Sequence, residues 1–286
     1  MSELMLECDG ASLHVESEGD GPPVLVPSGA GTAFYRNSLS SALKERLQLV
    51  HVEMRGTGGS AGNLNGASFA LFADDLERVR DALGFGKVFV LGHSNHGCIA
   101  LEYGLRHGEH AAGIIAVGSV PDFREAFALG QSRFEAEASP ERRGALEKGM
   151  AEFAAIPFGN EPNDELMLRR YISMTPLGWL DPAFDQRYLW GERAPRGMAT
   201  YLGWMAGFAP TWNVAPRLNE IPAPVLAISG RYDYLCPVHL WEDAIKDGAT
   251  IDLAVMEQSA HNPQVEERER FDETVLAFVD RYGSRL

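Results

Sequence analysis

The chain has 286 residues, of which 45% are hydrophobic and 23% charged, and a formal net charge of −15. That length holds one large α/β domain with an insertion, or two small domains, and no apolar run approaches the ~20 residues that cross a bilayer. The acid excess disfavours nucleic acid, whose phosphates need a basic face, and mildly favours neutral or cationic small molecules. A small-molecule substrate is therefore the expected partner, with no nucleic acid and no membrane; no motif speaks to the oligomeric state. Residues 1–10 carry acids rather than a basic stretch followed by an apolar one, so no signal peptide is expected and the expected location is cytoplasmic. Three cysteines, Cys8, Cys98 and Cys236, form no disulfide framework or zinc spacing and read as buried small apolar residues.

In chain order, the short β-branched runs at 24–26, 47–52, 88–91 and 114–117 read as strands buried on both faces. Between the second and third, 68–83 places Phe69, Phe72, Leu76, Val79 and Leu83 on one helical face, and Gly84 stops it. Strand, helix, strand in this order implies a parallel sheet with right-handed crossovers. From 120 to 216 strand runs vanish, and large apolar residues accumulate: Phe127, Phe134, Phe153, Phe158, Tyr171, Met174, Trp179, Tyr188, Trp190, Tyr201, Trp204, Met205, Phe208 and Trp212. Strands resume at 225–229 and 251–256, and 263–282 reads as the last helix. The expected fold class is α/β: a mostly parallel sheet with helices on both faces, a core of 1–119 and 217–286, and an inserted helical cap of 120–216. Most of the cap's aromatic residues fill its own core; a minority line a pocket between cap and core.

The strongest chemical signal is Gly92-His93-Ser94-Asn95-His96-Gly97, directly after one strand and directly before an apolar helix. A serine on such a turn is lifted out of the sheet, with the positive end of the helix aimed at the reacting centre. Ser94 is the candidate nucleophile. The usual second glycine of Gly-x-Ser-x-Gly is replaced by His96, which is either a substrate contact or, the preferred reading, an imidazole packed beside the turn. Asp233, in Gly230-Arg231-Tyr232-Asp233-Tyr234-Leu235-Cys236-Pro237, follows another strand and suits the acid that fixes a histidine tautomer. Asp122, after the strand at 114–117, is the competing acid. His261, in Ser259-Ala260-His261-Asn262-Pro263, lies on the loop after the last strand and is the candidate base. His14, His51, His107, His110 and His239 read as structural or surface residues. The small residues of Pro27-Ser28-Gly29-Ala30-Gly31 let backbone N–H groups approach an oxyanion. The expected donors are the N–H of Asn95 and that of Gly29, with Ala30 as second choice and as a further substrate contact.

The order Ser94, Asp233, His261 is that of α/β-hydrolases, and the chain resembles that superfamily over nearly its whole length. Pro27 to Gly31 resembles the oxyanion loop, with Pro27 in place of its histidine. Glu53-Met54-Arg55-Gly56-Thr57-Gly58-Gly59-Ser60 resembles the Asp-x-Arg-Gly-x-Gly-x-Ser turn of capped members, with Glu53 for the aspartate. Asp233 to Pro237 and His261 to Glu266 resemble the acid and histidine loops. The nearest subgroups are the proline-iminopeptidase-like and epoxide-hydrolase-like capped enzymes; a serine nucleophile departs from the second, and Asn95 replaces a tryptophan usual in the first. The resemblance implies a serine esterase or lactonase that works through an acyl-enzyme and needs no metal or organic cofactor, with serine-dependent macrolide esterases as the leading specific match; the aromatic residues of 120–216 suit a bulky apolar small molecule. Two alternatives accompany it. One is an aminopeptidase whose cap carboxylate, Glu152, Glu161 or Glu192, would hold a free amine. The other is a non-catalytic small-molecule receptor on the same fold.

Overall fold

A computed structural model describes residues 2–29, 31–157 and 163–285. The chain opens with strands β1 (Ser2–Cys8), β2 (Ala11–Glu18) and β3 (Pro23–Ser28), then helices α1 (Ala33–Ser38) and α2 (Ser41–Arg46), then β4 (Gln48–Glu53) and β5 (Ala61–Gly62). It continues through α3 (Phe69–Ala82), β6 (Val88–His93), α4 (Asn95–His107) and β7 (Ala111–Val117). Among the described residues five α-helices follow without a strand: α5 (Phe123–Glu137), α6 (Pro140–Ala154), α7 (Asp164–Ser173), α8 (Thr175–Gly178) and α9 (Met198–Phe208). The closing elements are β8 (Val225–Gly230), α10 (His239–Lys246), β9 (Asp252–Met256), α11 (Pro263–Glu266) and α12 (Arg268–Tyr282).

The sheet order is β1-β2-β4-β3-β6-β7-β8-β9, with β5 beside β2. From β4 onward the pairs are parallel, while β1 and β2 form an antiparallel margin. Residues of β6, β7 and β8 are buried along their whole length because helices cover both faces. Alternation of period two then sorts the side chains. Leu25, Val90, Ile114 and Ala116 join Phe72, Leu76, Cys98 and Ile99 of α3 and α4 on one face. Val24, Val26, Phe89, Leu91 and Ile115 join Leu43 of α2 and Phe271, Val275 and Phe278 of α12 on the other. Helix α3 begins where Ser68 accepts the Leu71 N–H and stops before Gly84, at φ +68°.

Two expectations are corrected, and the β1–β2 hairpin adds to the strands read from sequence. The last helix is not continuous over 263–282: Glu267, at φ −123° and ψ 52°, separates α11 from α12. Cys98 and Cys236 are buried thiols, but Cys8 is only half-buried, because it ends an edge strand. No described helix is long and apolar enough to cross a membrane.

The helices between β7 and β8 are fastened to the turn after β4. Gly58 N–H donates to the Arg196 carbonyl at 2.8 Å, and Arg196 donates to the Ser60 carbonyl at 3.0 Å. Asp164 accepts the N–H groups of Gly197 and Ala199, at 2.9 and 2.8 Å, at the start of α9, where the helix dipole favours a carboxylate.

Candidate active site

Ser94 sits between β6 and α4 at φ +58° and ψ −131°, a conformation that a non-glycine residue adopts only where its surroundings impose it. Its N–H donates to the Val117 carbonyl at 2.8 Å. Close packing explains the flanking glycines. A Cβ on Gly92 would lie 2.0 Å from the His96 carbonyl oxygen, and one on Gly97 would lie 2.4 Å from the Ser119 side chain. The turn thus keeps two glycines, the second of them at Gly97, while the His96 side chain turns toward the loop after β3.

The loops after β8 and β9 meet beside His93, whose ring centroid lies 4.8 Å from that of His261. Asp233 Oδ2 lies 2.8 Å from His261 Nδ1, and Asp233 Oδ1 accepts the N–H groups of Leu235 and Cys236, each at 2.8 Å. Asp233 is 0% and His261 1% exposed, so water does not compete for this bond. The histidine loop is held from several sides: His261 N–H donates to the Gly178 carbonyl at 3.0 Å, and Glu266 accepts both the Ser259 hydroxyl and the Ala260 N–H. His93, quoted in the serine motif without a role of its own, donates through Nε2 to the His261 carbonyl at 2.9 Å. Burial pushes the His93 imidazole well below the usual histidine range, so the donor is a neutral ring. Among the described residues no hydrogen bond joins Ser94 Oγ to the His261 ring; Nε2 is the ring nitrogen that Asp233 leaves available.

Asp122 is employed elsewhere. It caps α5 by accepting the Arg124 N–H at 3.0 Å, and it pairs with the Arg124 guanidinium at 2.7 Å. Of the other histidines, His14 pairs with Glu53 and Glu3, His51 with Glu18, and His107 with Asp74.

The loop after β3 differs from expectation. Gly29 N–H does not stand open toward an incoming oxygen; it donates to His96 Nε2 at 2.7 Å. Ala30 lies outside the described residues. Asn95 begins α4, and its Oδ1 accepts the Tyr201 hydroxyl at 2.7 Å. Glu53, the substitute for the motif aspartate, ties this region together. It accepts the Thr32 N–H at 3.2 Å, the Gly59 N–H, and a bond with His14 Nδ1 at 3.0 Å.

A partly open cavity lies against Ser94. Its polar floor is Ser94, Asn95, His96 and Tyr35; its apolar wall is Phe34, Tyr171, Trp190, Met198, Tyr201 and Leu202. Three of the aromatic residues of 120–216 thus reach it, while Phe127, for one, is 80% exposed. Phe34 and Tyr35 come from α1, a six-residue helix too short to show periodicity in sequence.

Metal-ligating atoms of Asp233, Cys236 and His261 lie within 4.8 Å of one another, the grouping of that kind among the described residues. Their chemistry does not suit a metal. The Asp233 oxygens already accept hydrogen bonds, and burial holds the Cys236 thiol well above its usual range, whereas a metal takes the thiolate.

His96 is a buried imidazole that desolvation lowers from the usual histidine range to about 4. An unfolded chain binds a proton there below about pH 6.5, and the folded protein does not. The stability due to the neutral ring is therefore fully present above that pH and is lost as the pH falls toward 4. Between pH 7.5 and 4.5 the protein should lose about 2–3 kcal/mol more stability than a His96→Gln variant. Urea unfolding of both proteins at the two pH values measures this; equal losses would contradict it.

The chain belongs to the α/β-hydrolase family: the family model described as alpha/beta hydrolase fold matches residues 22–267. It is 31% identical over 290 aligned residues to the AB hydrolase superfamily protein YclE of Bacillus subtilis (strain 168), covering 96% of this chain and 97% of that one. It is 25% identical over 242 residues to a proline iminopeptidase of Chitinophaga pinensis, covering 78% of each. A solved α/β fold family hydrolase from Bacillus anthracis strain Sterne superimposes with a TM-score of 0.74 at 19% identity, over 97% of this chain and 99% of that one.

Proposed function

We propose that the protein is a serine-dependent hydrolase of neutral carboxylic esters or lactones with apolar groups. Ser94 is the nucleophile, His261 the base and Asp233 the orienting acid; 120–216 forms a cap over the core of 1–119 and 217–286. The observation that carries the substrate class is the cavity beside Ser94, whose lining among the described residues has an aromatic wall and no carboxylate or cationic side chain. Charged groups entering it would lose water without gaining a partner.

In this mechanism His261 Nε2 takes the Ser94 Oγ proton as Oγ bonds to the carbonyl carbon and the carbonyl π electrons move to oxygen. The Asn95 N–H, at the positive end of α4, faces that oxyanion. Collapse breaks the bond to the alcohol, which leaves with the proton from His261. Water then gives a proton to His261, attacks the acyl carbon and releases the acid, and the proton returns to Ser94.

The aminopeptidase alternative needs a carboxylate for the substrate amine. Glu152 is exposed, with Lys148 at 3.9 Å, and Glu192 is exposed; neither lines the cavity, and Glu161 lies outside the described residues. The relation to a proline iminopeptidase keeps that reading as the one to test against. A macrolactone is the most specific expectation, and no described residue of the cavity lining singles it out. A receptor would bind without turnover. Mass spectrometry of a mixed panel separates these: aryl esters, small lactones, macrolides and proline peptides incubated with the protein. Gain of one water on small neutral esters or lactones, with the proline peptides intact, is the expected result. Cleavage of the peptides would replace this reading by the aminopeptidase, and binding without turnover would replace it by the receptor.

A further inference from the structure

The N–H of Gly29 is the donor that the loop after β3 offers to an oxyanion, yet in the substrate-free protein it is already bonded to His96 Nε2 at 2.7 Å. Because Nε2 accepts, the ring proton is on Nδ1, which lies 2.7 Å from the Tyr35 hydroxyl oxygen; that hydroxyl in turn donates to the His93 carbonyl at 3.4 Å. The imidazole is stacked on Tyr201, with centroids 5.7 Å apart and planes at 22°, and meets Tyr35 edge-on at 5.8 Å. Tyr201 also covers Gly29, where a Cβ would lie 2.3 Å from its ring. His96 and Ser94 line the same cavity, so the acceptor that holds the Gly29 N–H faces the space a substrate carbonyl would enter.

The two acceptors change rank during the reaction. A neutral ester oxygen accepts a hydrogen bond less well than an imidazole nitrogen, whereas a bond to an oxyanion is roughly twice as strong as a neutral one. We propose that His96 gates the oxyanion site, holding the Gly29 N–H against the ground-state carbonyl and yielding it to the tetrahedral intermediate. The donor then acts only where charge has developed, which is the condition for an interaction to raise kcat rather than merely tighten substrate binding. The gate depends on an uncharged ring, since an imidazolium has no lone pair for Gly29, and burial among Tyr35, Tyr201 and the loop after β3 keeps it uncharged at neutral pH. This rests on Ser94 being the nucleophile.

The test compares wild type, His96→Ala and His96→Gln with one aryl ester and one arylboronic acid, which forms a tetrahedral adduct on a nucleophilic serine. Removing the imidazole leaves the Gly29 N–H for the substrate, so His96→Ala should raise kcat/KM roughly two- to tenfold, carried by a lower KM, and tighten the boronic acid to a similar extent. The glutamine amide oxygen can accept the same N–H, so His96→Gln should return both values to those of wild type. An alanine variant with unchanged or higher KM and reduced kcat would overturn the gate and leave His96 a support of the loop. Should the alanine variant not fold, ¹⁵N-histidine spectra of wild type serve instead. The Nε2 resonance missing from His96→Gln must shift when the boronic acid saturates the site, and a resonance that stays put overturns the proposal. A wild type that neither cleaves esters nor binds the boronic acid would remove the Ser94 reading and the gate with it; live wild type with unaltered variants removes the gate alone.

Discussion

Ser94→Ala is expected to lower aryl-ester turnover by about 10⁴- to 10⁶-fold, the range seen when the nucleophile of a serine triad is removed. The loss should be catalytic rather than structural. Ser94 already holds a positive φ of 58° with a Cβ in place, so alanine adds no strain that serine lacks, and the N–H bond to the Val117 carbonyl is untouched. Among the described residues the Ser94 hydroxyl has no hydrogen-bond partner in the resting state, so none is lost from the fold. Initial rates measured on wild type and variant with matched thermal melts check this. A variant within tenfold of wild type would mean that Ser94 is not the nucleophile. The small residual rate expected above background comes from the Asn95 N–H and the aromatic cavity, which survive the substitution.

What could be read from sequence was what has a local signature. The central strands are buried on both faces, so β6, β7 and β8 appear as continuous runs of β-branched and aliphatic residues. The β1–β2 hairpin lacks that signature. In β1, Glu3, Met5 and Glu7 point to solvent between the more buried Leu4, Leu6 and Cys8, and the segment passes for an acidic terminus. The break at Glu267 was equally silent, because the Glu266 and Glu267 side chains bind Ser259, Ala260 and Gln258, partners defined by the fold and not by helical spacing. Ser94, Asp233 and His261 were legible because each follows a strand end in a turn of distinctive composition. The Gly29–His96 bond was not, since it joins residues 67 positions apart and depends on where the loop after β3 comes to rest on α4. For the same reason His93 and Glu266 could be quoted as motif members but given no partner.

The choice between two acids carries the second large effect. Asp233→Asn is expected to reduce kcat by about 10,000-fold, and the surroundings of Asp233 say why an isosteric change is so costly. Asp233 Oδ1 accepts the Leu235 and Cys236 N–H groups, so an asparagine must keep its amide oxygen there and turn its NH₂ toward His261. Nδ1 can then only accept, which moves the ring proton to Nε2, the nitrogen that should receive the proton of Ser94. The base is lost although no atom has moved. Asp122→Asn makes no such demand. Asparagine caps a helix as well as aspartate does, and the bond surrendered is one to the half-exposed Arg124, so turnover should remain within about threefold of wild type. Measured side by side, a severe Asp233→Asn and a mild Asp122→Asn place the acid after β8. The reverse pattern would move it to the β7 loop and require that α5 release its cap to let Asp122 reach the histidine.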